Sequence, residues 1–380
     1  MEKKRLEILQ DILKIDSTNG NEEAVADYLK GVLEESGIIA KKVAYADKRT
    51  NLIAEIGAGA KTLAISGHMD VVSAGNLADW TTPPFEPTIR DGKLFARGAT
   101  DMKSGLAALV CAMAELSLEK VPLKGKLKLL ATVGEEVGLL GAHQLTNEGY
   151  ADGVDALIIG EPSGHLIVYA HKGVLTFTVN SVGKSAHSSM PELGVNAIDN
   201  LLVFYTAMQE AFSKLTANNP ALGKFVYNNS IINGGKQANS VPDEAFLMVN
   251  TRTTPEVPNE IIQKTLEKIV KTLNDTIPTM DLSLEINQST LPVFSNIDSK
   301  LVTIAKEEGD KMFNEDLQLI GAPGGTDAAE FIRANKDMQI IIFGPGNDSL
   351  HQTDEYVKVD NYLEMVDLYK KIIIRYFEEA

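Results

Sequence analysis

Several apolar segments of this sequence end in a histidine or an acidic residue, the side-chain types that bind cations and transfer protons. The motifs are GHMD with His68 and Asp70, GATDMKSG with Asp101, VGEE with Glu135 and Glu136, and GEP with Glu161. His68 and Asp70 lie two positions apart where a predicted strand ends, so their side chains point the same way. Because ligands bind beyond the carboxyl ends of strands in open α/β sheets, we predict one shared site.

Each motif also has a purely structural interpretation. Asp70 could be a solvated residue at a strand end, and Asp101 could be a helix N-cap. Glu135 and Glu136 could be acidic residues in the first turn of a helix, where the helix dipole favours them. The recurrence of histidine or acid after separate apolar segments favours a shared site over independent capping.

A shared site of this kind needs a cation, because converging carboxylates repel one another and are costly to bury. Two divalent cations about 3.5 to 4 Å apart need a bridging carboxylate, further acids and histidines. The expected second histidine is His351, at the end of the segment FGPGNDSLH.

The remaining histidines divide into two groups. His143 lies in a helical pattern, and His165 and His171 flank an apolar run, so we predict structural roles for all three. His187 differs because it lies in the small-residue loop GKSAHSS. A loop histidine in a mobile domain could reach a reaction centre.

Composition excludes several classes of protein. The chain has 380 residues, 44% of them hydrophobic and 23% charged, which is typical of a folded globular protein. Its net charge of −16 has the wrong sign for binding nucleic acid or an anionic membrane. Cys111 is the single cysteine, which suits a reducing compartment. Because the N-terminal apolar segment is interrupted by charges and no apolar run approaches about 18 residues, we predict a cytoplasmic protein.

The elements that must position these residues suggest two domains, as expected for a chain of this length. Predicted strands at 40–45, 51–56, 62–66, 126–133 and 156–159 accompany helices at 103–118 and 137–148, which indicates an α/β layer with a mostly parallel sheet. Residues 174–289 follow the order β-α-β-β-α-β of a ferredoxin-like α+β domain. The α/β pattern then resumes. We therefore predict a catalytic domain built from residues 1–173 and 290–380, interrupted by an inserted domain.

The motifs together resemble those of the acetylornithine deacetylase and succinyl-diaminopimelate desuccinylase family. The matching segments are GHMDVV (67–72), Trp80 with Pro84 and Phe85, DGKLFARG (91–98), DMKSG (101–105), Glu135 with Glu136, GEP (160–162) and His351. The resemblance covers the whole chain, including the inserted domain. Because the family consists of two-zinc amidohydrolases related to aminoacylase and carboxypeptidase G, it implies a zinc-peptidase-like enzyme that hydrolyses linear amides.

The resemblance also implies a metal-ligand set. Asp101 would bridge two Zn²⁺ ions per chain, with Co²⁺ or Mn²⁺ as possible substitutes. His68 and Glu161 would complete one metal. Glu136 and His351 would complete the other.

Roles in catalysis follow from the same resemblance. Asp70 would orient His68, and Glu135 would be the general base that takes a proton from the attacking water and passes it to the leaving amine. A histidine matching His187 crosses from the partner subunit in this family and stabilises the oxyanion. The inserted domain would therefore form the contact of a homodimer.

Substrate recognition is less closely matched. The family positions that hold substrate carboxylates or polar groups correspond to Asn239, Arg252, Gly325, Thr326 and Asn347. Arg252 suits a carboxylate because guanidinium binds it through two hydrogen bonds. Desuccinylases tend to carry an arginine shortly after the Gly-Gly-Thr motif, where this chain has Glu330. We expect a small N-acyl amino acid as substrate, with desuccinylase or acetylornithine deacetylase activity.

Two alternatives stay open at this point. The first is a di- or tripeptidase or a carboxypeptidase of the same superfamily acting on short peptides, although its dipeptidases and tripeptidases tend to have Asp where this chain has Glu161. The second is a non-catalytic metal-binding homologue, although such proteins typically lose ligands or the base, and here all are present.

Overall fold

The computed structural model describes residues 1–379 of the chain. Its helices are α1 (Glu2–Leu13), α2 (Glu22–Glu35), α3 (Lys103–Leu118), α4 (Leu140–Asn147), α5 (Ala197–Ser213), α6 (Asn259–Thr276), α7 (Lys300–Phe313), α8 (Ala328–Phe331) and α9 (Val359–Glu378). Among these residues, no helix is both long enough and apolar enough to span a bilayer.

The strands are numbered in chain order. The first nine are β1 (Ala40–Ala46), β2 (Arg49–Gly57), β3 (Thr62–His68), β4 (Thr88–Arg90), β5 (Lys93–Phe95), β6 (Lys126–Thr132), β7 (Ala156–Pro162), β8 (Leu166–His171) and β9 (Gly173–Val182). The others are β10 (Asn218–Asn219), β11 (Gly223–Lys224), β12 (Val226–Gly234), β13 (Glu244–Thr253), β14 (Leu282–Thr290), β15 (Val293–Phe294), β16 (Gln318–Ala322), β17 (Gln339–Gly344) and β18 (Tyr356–Lys358).

The chain divides into two compact units. The first contains Met1–Ala170, Phe294–Ile320 and the residues from Thr326 onward, and the second contains His171–Val293 and Gly321–Gly325. The main sheet has the strand order β1-β2-β6-β3-β7-β17-β8-β15. Its central strands β6, β3, β7 and β17 are mutually parallel, and the pairs β1–β2 and β2–β6 are antiparallel. The predicted α/β fold with a mostly parallel central sheet is therefore confirmed.

Helix α3 packs closely against the sheet that carries the predicted site residues. Almost every residue of α3 is buried, as is all of β3, because a parallel sheet is covered on both faces. A Cβ atom added to Gly105 in the first turn of α3 would lie 1.8 Å from the carbonyl oxygen of Gly160. Only glycine at position 105 lets the start of α3 approach β7 this closely.

The second unit has its own core and its own sheet. The elements β9, α5, β12, β13, α6 and β14 occur in this order, with the short strands β10 and β11 between α5 and β12. The sheet order is β12-β13-β9-β14 with antiparallel pairing. Phe177, Phe204 and Leu247 are among the buried residues of this core. This order is that of a ferredoxin-like unit. Its role in dimerisation stays a prediction.

Candidate metal centre

The predicted ligands lie where the elements of the first unit end or begin. His68 is the last residue of β3, Glu161 lies near the end of β7, and Glu136 follows β6. Asp101 lies two residues before α3, and His351 lies in the loop between β17 and β18. The parallel strands β3, β6 and β7 bring their carboxyl ends to one edge of the sheet, as the sequence analysis assumed.

The carboxylate of Asp101 lies between the two histidines. Its Oδ1 is 3.1 Å from Nε2 of His68, and its Oδ2 is 3.2 Å from Nε2 of His351. One oxygen therefore faces each imidazole. This is the arrangement that a bridging carboxylate needs.

Two glutamates flank this central carboxylate. Oε1 of Glu136 is 2.9 Å from Nε2 of His351, and Oε1 of Glu161 is 3.5 Å from Nε2 of His68. Ligand atoms of His68, Asp101 and Glu136 lie within 4.8 Å of one another, as do those of His68, Glu135 and Glu161. The structure thus brings the predicted ligands together, and their individual assignment to two metals stays a prediction.

The electrostatics of this cluster show an excess of negative charge. Burial raises the pKa of Glu161 well above its ordinary value, and the charge of Asp101 raises it further. Burial also acts to raise the pKa of Asp101, but hydrogen bonds from His351 and His68 lower it below its ordinary value. Divalent cations would balance such crowded acids. Imidazole nitrogens with carboxylate oxygens and no thiolate are a donor set that fits zinc-type ions.

Asp70 holds two parts of the site at once. Nδ1 of His68 lies 3.0 Å from the main-chain carbonyl of Asp70 and 3.5 Å from its carboxylate. The carboxylate accepts hydrogen bonds from the backbone N–H groups of Glu135 (3.2 Å) and Glu136 (3.3 Å). Asp70 therefore fixes the ring of His68 mainly through its carbonyl, and it fixes the two glutamates through its side chain.

Asp327 is a buried acid near the site that the sequence analysis missed. Its Oδ2 accepts a 2.5 Å hydrogen bond from the hydroxyl of Thr132, the last residue of β6. Burial raises the pKa of Asp327 to about 7. Burial also raises the pKa of Glu135 well above its ordinary value, and the charge of Asp327 adds to this shift. The available sequence signal was its position directly after Thr326.

Two predicted substrate-binding residues of the first unit have local partners. The amide of Asn347 donates to the carbonyl of Tyr356 (2.7 Å), and its Oδ1 accepts from the N–H of Ser349 (2.9 Å). Thr326 Oγ1 accepts from the N–H of Ala328 (3.3 Å). Both side chains therefore shape their own loops, and their contact with substrate stays a prediction.

In the second unit, His187 and Asn239 are exposed, and Gly325 is half-buried. Nδ1 of His187 accepts from the hydroxyl (2.8 Å) and the N–H (3.2 Å) of Ser189. A neutral imidazole that accepts at Nδ1 carries its proton on Nε2. His187 therefore presents an N–H donor.

Arg252 lies in β13 and is half-buried. Among residues 1–379, no carboxylate forms an ion pair with it. Burial lowers the pKa of Lys172, and the positive charge of Arg252 lowers it further. The two cations thus leave an unbalanced positive charge, which suits an anionic ligand.

The structural roles expected for the other histidines stay a prediction. His143 Nδ1 is 3.0 Å from Glu330 Oε2, and His165 stacks on Phe313 with ring centroids 4.1 Å apart. His171 is fully buried. Cys111 is a buried free cysteine, as expected.

The chain is similar to known proteins over most of its length. A family model described as peptidase family M20/M25/M40 matches residues 64–375. A protein of Staphylococcus aureus named "Probable succinyl-diaminopimelate desuccinylase" is 41% identical and is covered over 98% of its length, with 100% of this chain aligned.

Solved structures share the fold. An M20 family metallo-carboxypeptidase from Sulfolobus solfataricus has a TM-score of 0.76 at 21% identity, covering 98% of this chain and 99% of that one. A dinuclear metal-binding peptidase of the M20 family from Bacillus subtilis has a TM-score of 0.74 at 16% identity, covering 100% of this chain and 99% of that one.

Proposed function

Because the chain belongs to peptidase family M20/M25/M40 and is a hydrolase of amide bonds, we propose that it removes the succinyl group from N-succinyl-diaminopimelate. The observation that carries the hydrolytic part is the placement of Asp101 between His68 and His351. The full-length similarity to a protein named as a desuccinylase supports the choice of substrate.

We propose that the site takes two Zn²⁺ ions per chain. Asp101 would contribute to both, His68 and Glu161 would hold one ion, and Glu136 and His351 would hold the other. When bound, such ions supply Lewis-acid polarisation of the amide carbonyl and a lowered pKa for the attacking water. Co²⁺ or Mn²⁺ would be accepted as substitutes, because the donor set is imidazole and carboxylate.

The chain's own residues supply the proton transfers. Glu135 takes a proton from the attacking water and passes it to the leaving amine. Asp70 holds the main chain of Glu135 by a hydrogen bond and so keeps this base aimed at the ligand cluster. His187 donates its Nε2–H to the oxyanion that develops on the carbonyl oxygen.

Substrate anions are bound by the second unit in this proposal. Arg252 takes a carboxylate through two hydrogen bonds, and Lys172 adds positive charge beside it. Glu330, at the position where desuccinylases tend to have arginine, is bound to Arg333 and His143. As an acid, Glu330 cannot bind the succinyl carboxylate, so Arg252 must supply more of that binding.

The decisive experiment is a substrate panel assayed with and without metal. Purified protein is stripped with a strong chelator, reloaded with zinc or cobalt, and given N-succinyl-diaminopimelate, N-acetylornithine, dipeptides and tripeptides while free amine is measured. We expect metal-dependent release, fastest from the succinyl substrate. Undiminished turnover after complete metal removal would contradict the two-metal mechanism.

The same panel tests the alternatives. Faster release from acetylornithine would make the chain a deacetylase. Faster cleavage of peptides would support the peptidase alternative, which the fold of the Sulfolobus carboxypeptidase also allows. Metal binding without any turnover would favour a non-catalytic homologue.

We also propose a cytoplasmic homodimer that forms through the second unit. Strand β12 is an edge strand, and it exposes Ile231 (49%) and Ile232 (63%). Helix α5 of the same unit exposes Leu202 (48%) and Val203 (42%). An exposed apolar edge strand is a template for pairing with another chain.

Hybrid dimers test whether His187 acts across that contact. His187→Ala and Glu135→Ala proteins are each expected to be inactive, whereas mixing them should restore part of the activity. One site of a hybrid then has both an intact base and an intact oxyanion donor. If mass spectrometry shows that subunits exchange and activity does not return, His187 acts in its own chain or has a structural role.

A further inference from the structure

Glu355 is a fully buried acid with an unusual set of partners. Its Oε1 accepts from the backbone N–H groups of Thr100 (2.7 Å) and Asp101 (2.8 Å). Its Oε2 accepts from Nη1 of Arg97 (2.6 Å) and from the backbone N–H of Gly98 (2.9 Å). A carboxylate offers about four lone-pair positions, and here four donors fill them.

These partners exclude Glu355 as a metal ligand, because no lone pair is left for a cation. They also make Glu355 hold the backbone of a segment that belongs to the site. The segment from Arg97 to Asp101 precedes α3 and carries the central carboxylate of the site. Glu355 lies four residues after His351, so one side chain connects the segments that carry two of the proposed ligands.

Further hydrogen bonds join the same two segments. The hydroxyl of Thr100 donates to the carbonyl of Tyr356 (2.6 Å), and the amide of Asn347 donates to Thr100 Oγ1 (3.3 Å). Strand β18 pairs with β5 in the register Tyr356↔Phe95. Glu355 is therefore the charged centre of a connected set of contacts between the two segments.

We propose that Glu355 is a positioning residue that sets the metal affinity of the site by fixing the main chain of Asp101 relative to His351. The proposal rests on the two-metal centre proposed above. Asp101 must place one oxygen 3.1 Å from His68 and the other 3.2 Å from His351. A shift of about 0.5 Å in its main chain would spoil one of these alignments.

A buried ion pair elsewhere in the first unit provides a matched control. Glu115 accepts from Arg5 Nε (2.6 Å) and Nη2 (2.7 Å) and from Lys370 Nζ (3.0 Å). Its partners are side chains, so it ties helices together without holding a backbone segment of the site. Glu115 lies 12 residues beyond the start of α3, which is about 18 Å along a helix.

The test measures zinc affinity in Glu355→Gln, Glu115→Gln and wild-type protein by competition with a fluorescent chelator. Glutamine keeps the shape of Glu355 but turns an NH₂ group towards two N–H donors. We expect the weaker zinc site of Glu355→Gln to lose about 10- to 100-fold in affinity, as for other residues that support metal ligands. The visible spectrum of the cobalt-loaded variant should also change.

Thermal unfolding of the metal-free proteins separates positioning from stability. Glu115→Gln should unfold at a lower temperature and keep wild-type zinc affinity and cobalt spectrum. Wild-type affinity in a folded Glu355→Gln protein would overturn the proposal, as would an equal loss of affinity in Glu115→Gln.

A shorter variant, Glu355→Asp, decides the case if Glu355→Gln does not fold. Aspartate keeps the charge opposite Arg97 and cannot also reach the N–H groups of Thr100 and Asp101, so weaker zinc binding is again expected. If neither variant folds without metal, Glu355 is purely structural and the proposal is overturned. If the wild type binds no zinc, the two-metal centre itself fails. If the wild type binds two ions and Glu355→Asp binds them equally well, only the present inference fails.

Discussion

The candidate functional residues of the two units differ in how much of their surroundings is already satisfied. In the first unit, Asp101, His68 and Glu161 are buried, and both acids lie beside the ring of His68. In the second unit, His187 is exposed and Arg252 has no carboxylate partner among residues 1–379. The first set is preorganised, whereas the second set still has donors to offer.

This difference separates two tasks. Chemistry on an amide needs groups held within a fraction of an ångström, which requires packing and hydrogen bonds on every side. Substrate binding instead needs charges and donors that are left unpaired until the ligand arrives. Substitutions in the first unit should therefore mainly lower the rate or the metal content. Substitutions of Arg252 should mainly raise KM.

The largest effect is expected for the pair Glu135 and Glu136. Glu135→Gln removes the basic oxygen but keeps the shape, so the rate should fall by roughly 10² to 10⁴ while metal content stays near two per chain. Glu136→Gln should instead weaken one metal, and excess zinc or cobalt should restore part of the rate. Metal analysis beside the rate of each variant checks both expectations.

The adjacent residues serve as controls for each other, because they share one backbone segment held by Asp70. Loss of metal in Glu135→Gln with full metal in Glu136→Gln would reverse the two assignments. Full metal and near-normal rates in both variants would mean that Glu135 and Glu136 have only a structural role at the start of the turn before α4.

Much of the fold could be predicted because its elements have strong local patterns. The helix predicted at 103–118 begins and ends at those residues in the structure. The helix predicted from 137 begins instead at Leu140, because residues 135–139 form a turn whose first N–H groups bind Asp70. Local periodicity cannot reveal such a distant acceptor.

The parts that escaped prediction depend on partners that are far apart in the chain. Strand β18 is three residues long and exists through its pairing with β5. Glu355 binds the N–H of Asp101 across 254 positions, and Asp327 binds Thr132 across 195. The convergence of the candidate ligands could be predicted because their residue types and strand-end positions carry the chemistry. Their supporting acids have no such pattern.

A smaller effect is expected at Arg252. Charged hydrogen bonds contribute about 1.5 to 3 kcal/mol, so Arg252→Met should raise KM for an anionic N-acyl substrate by about 10- to 100-fold while kcat changes less. Arg252→Lys should recover only part of the loss, because it keeps the charge and loses the bidentate geometry. Steady-state kinetics with both variants measure this division.

A neutral substrate analogue and a matched cation complete that experiment. With the substrate carboxylate replaced by an amide, wild type and Arg252→Met should become similar. Lys236→Met removes a cation of the same unit that already faces Asp243 and Glu244, so KM should not change. A loss of kcat without a change in KM in Arg252→Met would mean that Arg252 acts in catalysis. It would contradict the assignment of substrate binding to the second unit.

The smallest effect on catalysis is expected at Glu115, a buried acid of the first unit that already has cationic partners. Burial acts to raise the pKa of Glu115, but hydrogen bonds from Arg5 and Lys370 lower it below its ordinary value. A carboxyl group whose pKa is lowered by folding stabilises the protein above its unfolded pKa, near 4.5. That stabilisation is lost as the pH falls through the folded pKa.

Glu115→Gln should therefore lower the free energy of unfolding at pH 7 by up to about 3 kcal/mol and leave kcat unchanged. Urea unfolding of both proteins should show this difference shrinking as the pH falls below about 4.5. Glu119→Gln, which removes the more exposed partner of Lys370, should cost no more than about 1 kcal/mol. A difference that grows at acidic pH would contradict the lowered pKa. A loss of kcat would show that catalysis depends on a buried acid of this unit that lies away from the candidate ligands.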